Sequence, residues 1–316
     1  MTSRLRCDIP FIVCLAALLS SLVACDDASR TNRPPSAFTR TGIVHSSMLD
    51  EISGIQAGAG DDWLVQNDSG KPLIHVIKLA GEHVAAIEIV GARNRDWESL
   101  ALVPSQTGPL LVIGDTGDNL SQRKSIRLYF IPLPAADALG RYPKRIALQH
   151  QLELHYPDGP RDGEAMAFDP DGERLLLLSK RDVPPRLYGI SVNQALRSDR
   201  LTLEFLGTMP GLRPPAPRDL ILSPDRGAWV SQPTGMDIGS DGRLAAVITY
   251  RSLYLFRREE KQSWPEAFMN VPQEFVGPPG LYEEAVGFSA DQSSVIVATE
   301  RLPAPIYRLN LEPAAN

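Results

Sequence analysis

An eleven-residue segment, Asp162-Gly163-Glu164-Ala165-Met166-Ala167-Phe168-Asp169-Pro170-Asp171-Gly172, constrains this chain more than any other stretch, because variants of it return along the whole length. It reads as an acidic entry, a small residue, a few positions of strand character and a tight Asp/Gly turn, and the apolar run 174–179 follows it. That is the pattern of two antiparallel strands joined by a short loop. The matching starts are Ser53-Gly54-Ile55, Glu98-Ser99-Leu100-Ala101-Leu102, Glu164-Ala165-Met166-Ala167-Phe168, Thr234-Gly235-Met236-Asp237-Ile238 and Glu284-Ala285-Val286-Gly287-Phe288, spaced 45, 66, 70 and 50 residues apart. A small residue follows each start: Gly54, Ser99, Ala165, Gly235 and Ala285. Strands that crowd around a common axis leave no room for branched side chains there.

Repeats of this length built from short strands predict an all-β chain folded as a β-propeller. Five starts predict five blades; six blades is the alternative count, and five unrelated hairpins in a sandwich is the competing arrangement. Second strands are expected at 63–66, 110–113, 175–178, 244–248 and 295–298, and third strands at 73–77, 126–131, 187–192, 252–257 and 306–309. The third strands carry Tyr129, Tyr188, Tyr254 and Tyr307, aromatic residues suited to packing between blades. Outer strands are expected at 84–90, 146–155 and 201–206, with a weaker one near 268–275. The last blade has no fourth strand of its own, so residues 39–44 are expected to supply it and close the ring, removing a sheet edge. Residues 211–233, with Pro214, Pro215, Pro217 and Pro224, form an insertion beside blade four, read as a flap or hairpin.

The chain begins differently. Arg4 and Arg6 precede an apolar run, 11–24, that is too short to span a bilayer and long enough for a secretory leader. Leu22-Val23-Ala24-Cys25 closes the run and resembles the lipobox of bacterial lipoproteins; an ordinary signal peptide is the alternative. The resemblance implies a signal peptide over 1–24, acylation (palmitate) of Cys25, a tether over 25–38 and a propeller domain over 39–316. It also implies attachment through lipid on the periplasmic side of a bacterial membrane. Asp26 resembles the inner-membrane retention signal of lipoprotein sorting. Cys7, Cys14 and Cys25 are the only cysteines, so the mature chain would have no disulfide, and its stability must come from its core or from ligands. A formal net charge of −6 and a pI near 5.5 exclude a phosphate-neutralising nucleic-acid binder. A monomer with a small-molecule or protein partner is expected.

The turns Asp169-Pro170-Asp171-Gly172, Ser240-Asp241-Gly242 and Ser289-Ala290-Asp291 resemble the S-P-D-G-R turn of WD40-like periplasmic propellers. With Asp96-Trp97-Glu98, Gly114-Asp115-Thr116-Gly117-Asp118-Asn119 and Asn67-Asp68-Ser69-Gly70, the chain resembles the secreted propellers related to phytase-like and esterase-like proteins. The phytase and lactonase members have six blades, against five here. The resemblance implies a ligand- or protein-binding module, or alternatively a calcium-dependent hydrolase of a phosphoester, ester or lactone.

In a propeller the first strand of each blade begins where the second ends, so distant residues converge at one mouth of the channel. The starts bring Glu98, Glu164 and Glu284 there, with Asp96 and Asp162 beside them, and the second-strand ends bring Lys180, Arg181, Arg251 and Arg301. So many carboxylates near one axis must hold protons, pair with cations or bind a metal. Calcium, which takes oxygen ligands alone, fits a chain whose His45, His75, His83, His150 and His155 show no ligand spacing. Glu98, Glu164, Glu284, Asp96 and Asp162 are therefore the candidate calcium ligands, and Lys180, Arg181, Arg251 and Arg301 the candidate anion clamp. The competing reading pairs these acids with the arginines as structural ties between blades. No G-x-S-x-G, P-loop, H-E-x-x-H or G-x-G-x-x-G motif occurs, so no catalytic nucleophile is assigned.

Overall fold

The computed structural model describes residues 37–312, apart from 225 and 279–281. The leader, Cys25, Asp26 and nearly all of the tether lie outside the described residues.

Five mainly antiparallel sheets follow one another along the chain and make a five-bladed β-propeller. The blades open with Ile52–Ala57, Trp97–Val103, Gly163–Asp169, Pro233–Ile238 and Glu283–Phe288, strands that are buried almost end to end. A neighbouring blade covers each of their faces, so burial does not alternate along them and their polar residues are buried with the apolar ones. Each first strand packs on the next, and that of blade five packs on that of blade one, which closes the ring. Second strands are Asp62–Asn67, Leu110–Asp115, Arg174–Ser179, Leu244–Thr249 and Ser294–Thr299. Third strands are Leu73–Lys78, Ile126–Pro132, Arg186–Ser191, Ser252–Arg257 and Ala304–Asn310.

The core is divided in the same way. Five apolar clusters fill the five boundaries between blades. Tyr129, Tyr188, Tyr254 and Tyr307 each enter one of them, the placement expected from their recurrence on the third strands.

The N-terminal strand Phe38–Val44 pairs antiparallel with Ala304–Asn310, from Phe38 opposite Leu309 to Val44 opposite Ala304. The last blade thus receives its outer strand from the N-terminal strand, as the strand count predicted, and that strand begins one residue before the expected Thr39. Val44 is buried between blades five and one, and Phe38 between blades four and five, so the closing strand is fixed by apolar contacts as well as by its ladder.

The other outer strands depart from expectation. The run 146–155 is divided: Arg145–Ala147 pairs in parallel with the outer strand of blade one, His83–Val90, while His150–His155 belongs to blade two. The run 201–206 is divided likewise, with Arg200–Thr202 parallel to His150–His155 and Glu204–Thr208 in blade three. In both cases the chain covers the open edge of the blade it is leaving before it enters the next. Val192 ends the third strand of blade three early because it turns into a helical turn, Val192–Ala195, that buries Val192 and Ala195 between blades two and three. Blade four's outer strand is only Gln273–Val276, since the helical turn Trp264–Ala267 packs Trp264, Ala267 and Phe268 into the core ahead of it. The insertion 211–233 is not a hairpin. It holds a short helix, Pro217–Leu222, and a 3-10 turn, Trp229–Ser231.

Candidate functional site

A local irregularity recurs in all five blades. Pairing of first and second strands slips between Ile52 and Gly54, Trp97 and Ser99, Gly163 and Ala165, Pro233 and Gly235, and Glu283 and Ala285. Ser53, Glu98, Glu164, Thr234 and Glu284 are thus extra residues with no partner across the ladder, and all five are buried and polar. A bulge re-aims the side chain it carries, and here the re-aimed side chains meet across blade boundaries. The Ser53 hydroxyl donates to Glu98 Oε2 at 2.7 Å, from blade one to blade two.

Lys180, one residue past the second strand of blade three, stands among three of them. Its Nζ lies 2.9 Å from Glu164 Oε2, and its side chain is only 9% exposed. The same amine is 5.3 Å from the centre of the Tyr250 ring. The Tyr250 hydroxyl donates to Glu284 Oε1 in a short hydrogen bond, bringing blades three, four and five to one point. Glu98 lies close enough to feel both Glu164 and Lys180.

This cluster has more acid than base, and burial raises the carboxyl pKa values. Burial pushes Glu284 up to about 8 and Glu164 up to about 7, with Lys180 opposing the rise in each case. Glu98 is held well above the usual carboxyl range by burial and by Glu164. Burial works against the Lys180 ammonium, but the surrounding carboxylates outweigh it and hold its pKa well above its usual value. Near neutral pH the group therefore places the Lys180 ammonium among three carboxyl groups whose hold on protons burial has strengthened.

A second net adjoins it. Arg181 Nε lies 2.7 Å from Asp162 Oδ2, and Asp162 Oδ1 accepts from the Asp118 amide at 2.7 Å. Arg123, almost wholly buried, lies 2.9 Å from Asp115 Oδ1 and donates to the Gly117 carbonyl at 2.7 Å. Burial and the charge of Asp162 raise Asp96. A side chain at Gly117 would place its Cβ 2.4 Å from Glu98 Oε1 and 2.5 Å from Asp96 Cγ, so only glycine lets this loop pass between the two acids.

The structure thus gathers Glu98, Glu164 and Glu284 around Lys180, and Asp96 and Asp162 beside Arg123 and Arg181. Among the described residues no group of three or more His, Cys, Asp or Glu is arranged to hold a metal ion. The amine of Lys180 stands where a cation would be needed, and this donor set does not fit calcium. Of the four basic residues singled out in the sequence, three hold internal acids, because Arg251 turns into the insertion, 3.1 Å from Asp219 Oδ2 and 2.6 Å from the Arg213 carbonyl. Arg301 is the open one. Its side chain is 56% exposed, 4.0 Å from Glu300, and its guanidinium lies 4.2 Å over the Tyr282 ring.

Between the insertion and blade five, directly above Tyr250, lies a cavity of about 320 Å³ whose walls include Leu222, Arg226, Trp229, Tyr282 and Arg301. Larger clefts lie elsewhere, one of about 660 Å³ at the outer edge of blades two and three and one of about 470 Å³ at the opposite end of the channel. Neither is lined by Lys180 or its three glutamates, although the buried Asp237 lines the second. Sequence reasoning missed Arg123, Arg226, Trp229 and Tyr282, and of these only Tyr282, two residues ahead of the blade-five start, had a repeat position to mark it.

These features define a five-bladed propeller with a charged, proton-holding mouth. No family model matches the chain, and no curated protein matches it. Among solved structures, that of U3-55K is similar at 11% identity over 88% of this chain and all of that one, with a TM-score of 0.42. The PQQ-bound form of an aldose sugar dehydrogenase from Streptomyces coelicolor is similar at 13% identity over 89% of this chain and all of that one, with a TM-score of 0.49. The chemistry of the mouth must be argued from its own residues.

Proposed function

We propose that this domain is the ligand-binding head of a lipoprotein tethered through Cys25 to the periplasmic side of the inner membrane, and that it receives a small anionic ligand at the mouth where the blade-opening strands begin. The observation that carries this reading is the placement of buried polar residues at all five bulge positions, Ser53, Glu98, Glu164, Thr234 and Glu284. Ring closure needs nothing polar there. Burying three carboxylates and an amine costs several kcal/mol per ion before pairing, and Tyr250, bonded to Glu284, also lines a cavity; perturbed acids beside a cleft are candidates for a functional site. Lys180 supplies the cation that the carboxylates require, and Arg301 supplies the charge offered to a ligand.

Amide NMR of the protein titrated with inorganic phosphate and with citrate tests the location. Shifts are expected at Tyr250, Tyr282 and Arg301 and not at the turns containing Asp171 and Asp241, at the far end. If neither anion moves the mouth residues, or if the shifts gather at the far end, the proposal is wrong. The tether is tested by Cys25→Ala and fractionation, where retention in the membrane pellet would rule out Cys25 as the anchor.

A further inference from the structure

We infer that the cavity between the insertion and blade five is an aromatic-acid site: a pocket that takes a flat one- or two-ring ligand carrying a single carboxylate, with Trp229 and Tyr282 against the ring and Arg301 and Arg226 on the acid. The inference rests on the mouth being the ligand-binding face and adds which part of it binds and what class of molecule enters.

Size sets the first limit. About 320 Å³ is at the low end of small-molecule cavities, room for one or two rings and not for a polymer or a folded partner. The walls set the second. Of the protein's four tryptophans, Trp63, Trp97 and Trp264 are buried, whereas Trp229 is 38% exposed, and Tyr282 across the cavity is 36% exposed. Two partly exposed aromatic rings on one small cavity, with Leu222 beside them at 70% exposure, suit a flat apolar body.

Charge sets the third. The Arg301 guanidinium lies over the Tyr282 ring at 4.2 Å, and that of Arg226 over the Trp229 ring at 5.3 Å. A stacked guanidinium keeps its N–H edge free, and that edge matches a carboxylate in two parallel hydrogen bonds. Two acids also line the cavity. Asp219 is offset by Arg251, 3.1 Å from its Oδ2, which also accepts from the Ala216 amide at 2.7 Å. Glu300 is 4.0 Å from Arg301, too far for a hydrogen bond. With Asp219 so paired, Arg226 and Arg301 outnumber the one remaining carboxyl, and the cavity offers an excess of positive charge to a monoanion.

The backbone points the same way. Arg301 has φ +69°, a left-handed conformation that bulky residues avoid, and its amide donates to the Asp50 carbonyl at 3.1 Å. Strain of this kind costs on the order of 1–3 kcal/mol and persists where the surroundings fix a side chain's direction. Here that direction is over Tyr282 and into the cavity.

The test uses 2-naphthoate as probe, with 2-naphthylmethanol (same rings, no charge) and cyclohexanecarboxylate (same charge, no aromatic face) as controls, measured by calorimetry on the purified protein. Naphthoate is expected to bind at least tenfold more tightly than either control. Arg301→Gln should lose at least tenfold for naphthoate, and Arg301→Lys should fail to restore it, because an ammonium neither stacks nor forms the paired hydrogen bonds. Tyr282→Leu should weaken naphthoate more than cyclohexanecarboxylate. All three are surface changes, and an unchanged melting midpoint confirms that the fold is kept. Equal binding of all three compounds, or wild-type affinity for naphthoate in Arg301→Gln, overturns the assignment. If citrate or phosphate shifts the mouth amides while naphthoate does not bind, the ligand class falls and the mouth stands as the binding face; if none of them binds there, both fall.

Discussion

Replacing Lys180 with Met tests the buried cluster most directly. Methionine fills much the same volume and removes only the charge, so Glu164, whose Oε2 is 2.9 Å from the amine, loses its counter-ion in a site from which water is nearly excluded. Breaking a buried ion pair on one side costs ~3–5 kcal/mol. With ~2 °C of midpoint per kcal/mol for a domain of this size, a fall of roughly 6–10 °C is expected at alkaline pH. The loss should depend on pH, and the sign follows from the carboxyl groups. Glu164 and Glu284 have folded pKa values raised to about 7 and about 8, above the ordinary 4.5, so their contribution to stability is present below 4.5 and lost as pH rises through those values. Without the ammonium both rise further, and the variant keeps protons that the wild type has begun to release. Each proton so kept widens the gap by ~1.4 kcal/mol per pH unit as the pH rises. Denaturant unfolding at pH 8.5 and 5.5 should show a difference of several kcal/mol at the first and much less at the second. Lys180→Met with Glu164→Gln should recover most of the loss at pH 8.5. A gap below ~1 kcal/mol at pH 8.5, or one that does not change with pH, would mean that Lys180 is solvated and that the cluster is not a unit.

Other outcomes follow from the same structure. Wild-type stability should fall between pH 6.5 and 8.5, because Asp68, Glu283 and Glu284 are raised to about 8 and Glu164 and Asp237 to about 7, chiefly by burial. His75, lowered to about 4 by burial, opposes this trend only below its ordinary 6.5, so a midpoint that rises across that window would contradict the assignment. Saturating calcium should move the midpoint by less than about 1 °C; a site filled at a hundred times its dissociation constant would add ~2.7 kcal/mol, about 5 °C, and a rise of that size would return the carboxylates to a metal role. Removing residues 38–44 should leave Ala304–Asn310 as an open edge and uncover the apolar clusters that Phe38 and Val44 complete, giving association or an earlier midpoint. A truncated protein that stays monomeric with an unchanged midpoint would exclude that strand as the closure.

What the sequence disclosed, and what it hid, follows from which interactions are local. The blade starts were legible because each needs a small residue where strands crowd, and Gly54, Ser99, Ala165, Gly235 and Ala285 recur for that reason alone. Closure by the N-terminal strand was legible by counting, since blade five runs out of chain at its third strand. The divided outer runs were not, because leaving one blade's edge for the next takes no special residue: Leu148 and Leu203 read as further apolar positions, though Leu203 is where the chain is pulled into the core between blades two and three. Convergence of charge at one mouth followed from topology, but the partner of each charge did not, since pairing runs across blades that lie far apart in sequence. Glu284 sits at the bulge of blade five, yet it accepts from Tyr250 of blade four and lies near Lys180 of blade three. Arg181, two residues past the second strand of blade three, holds Asp162, whereas Arg301, at the same place in blade five, lies over Tyr282, which stands two residues before the bulge as Asp162 does. The insertion that faces Arg301 has no counterpart in the other blades, so Trp229 and Arg226 had no register against which their position could have been read.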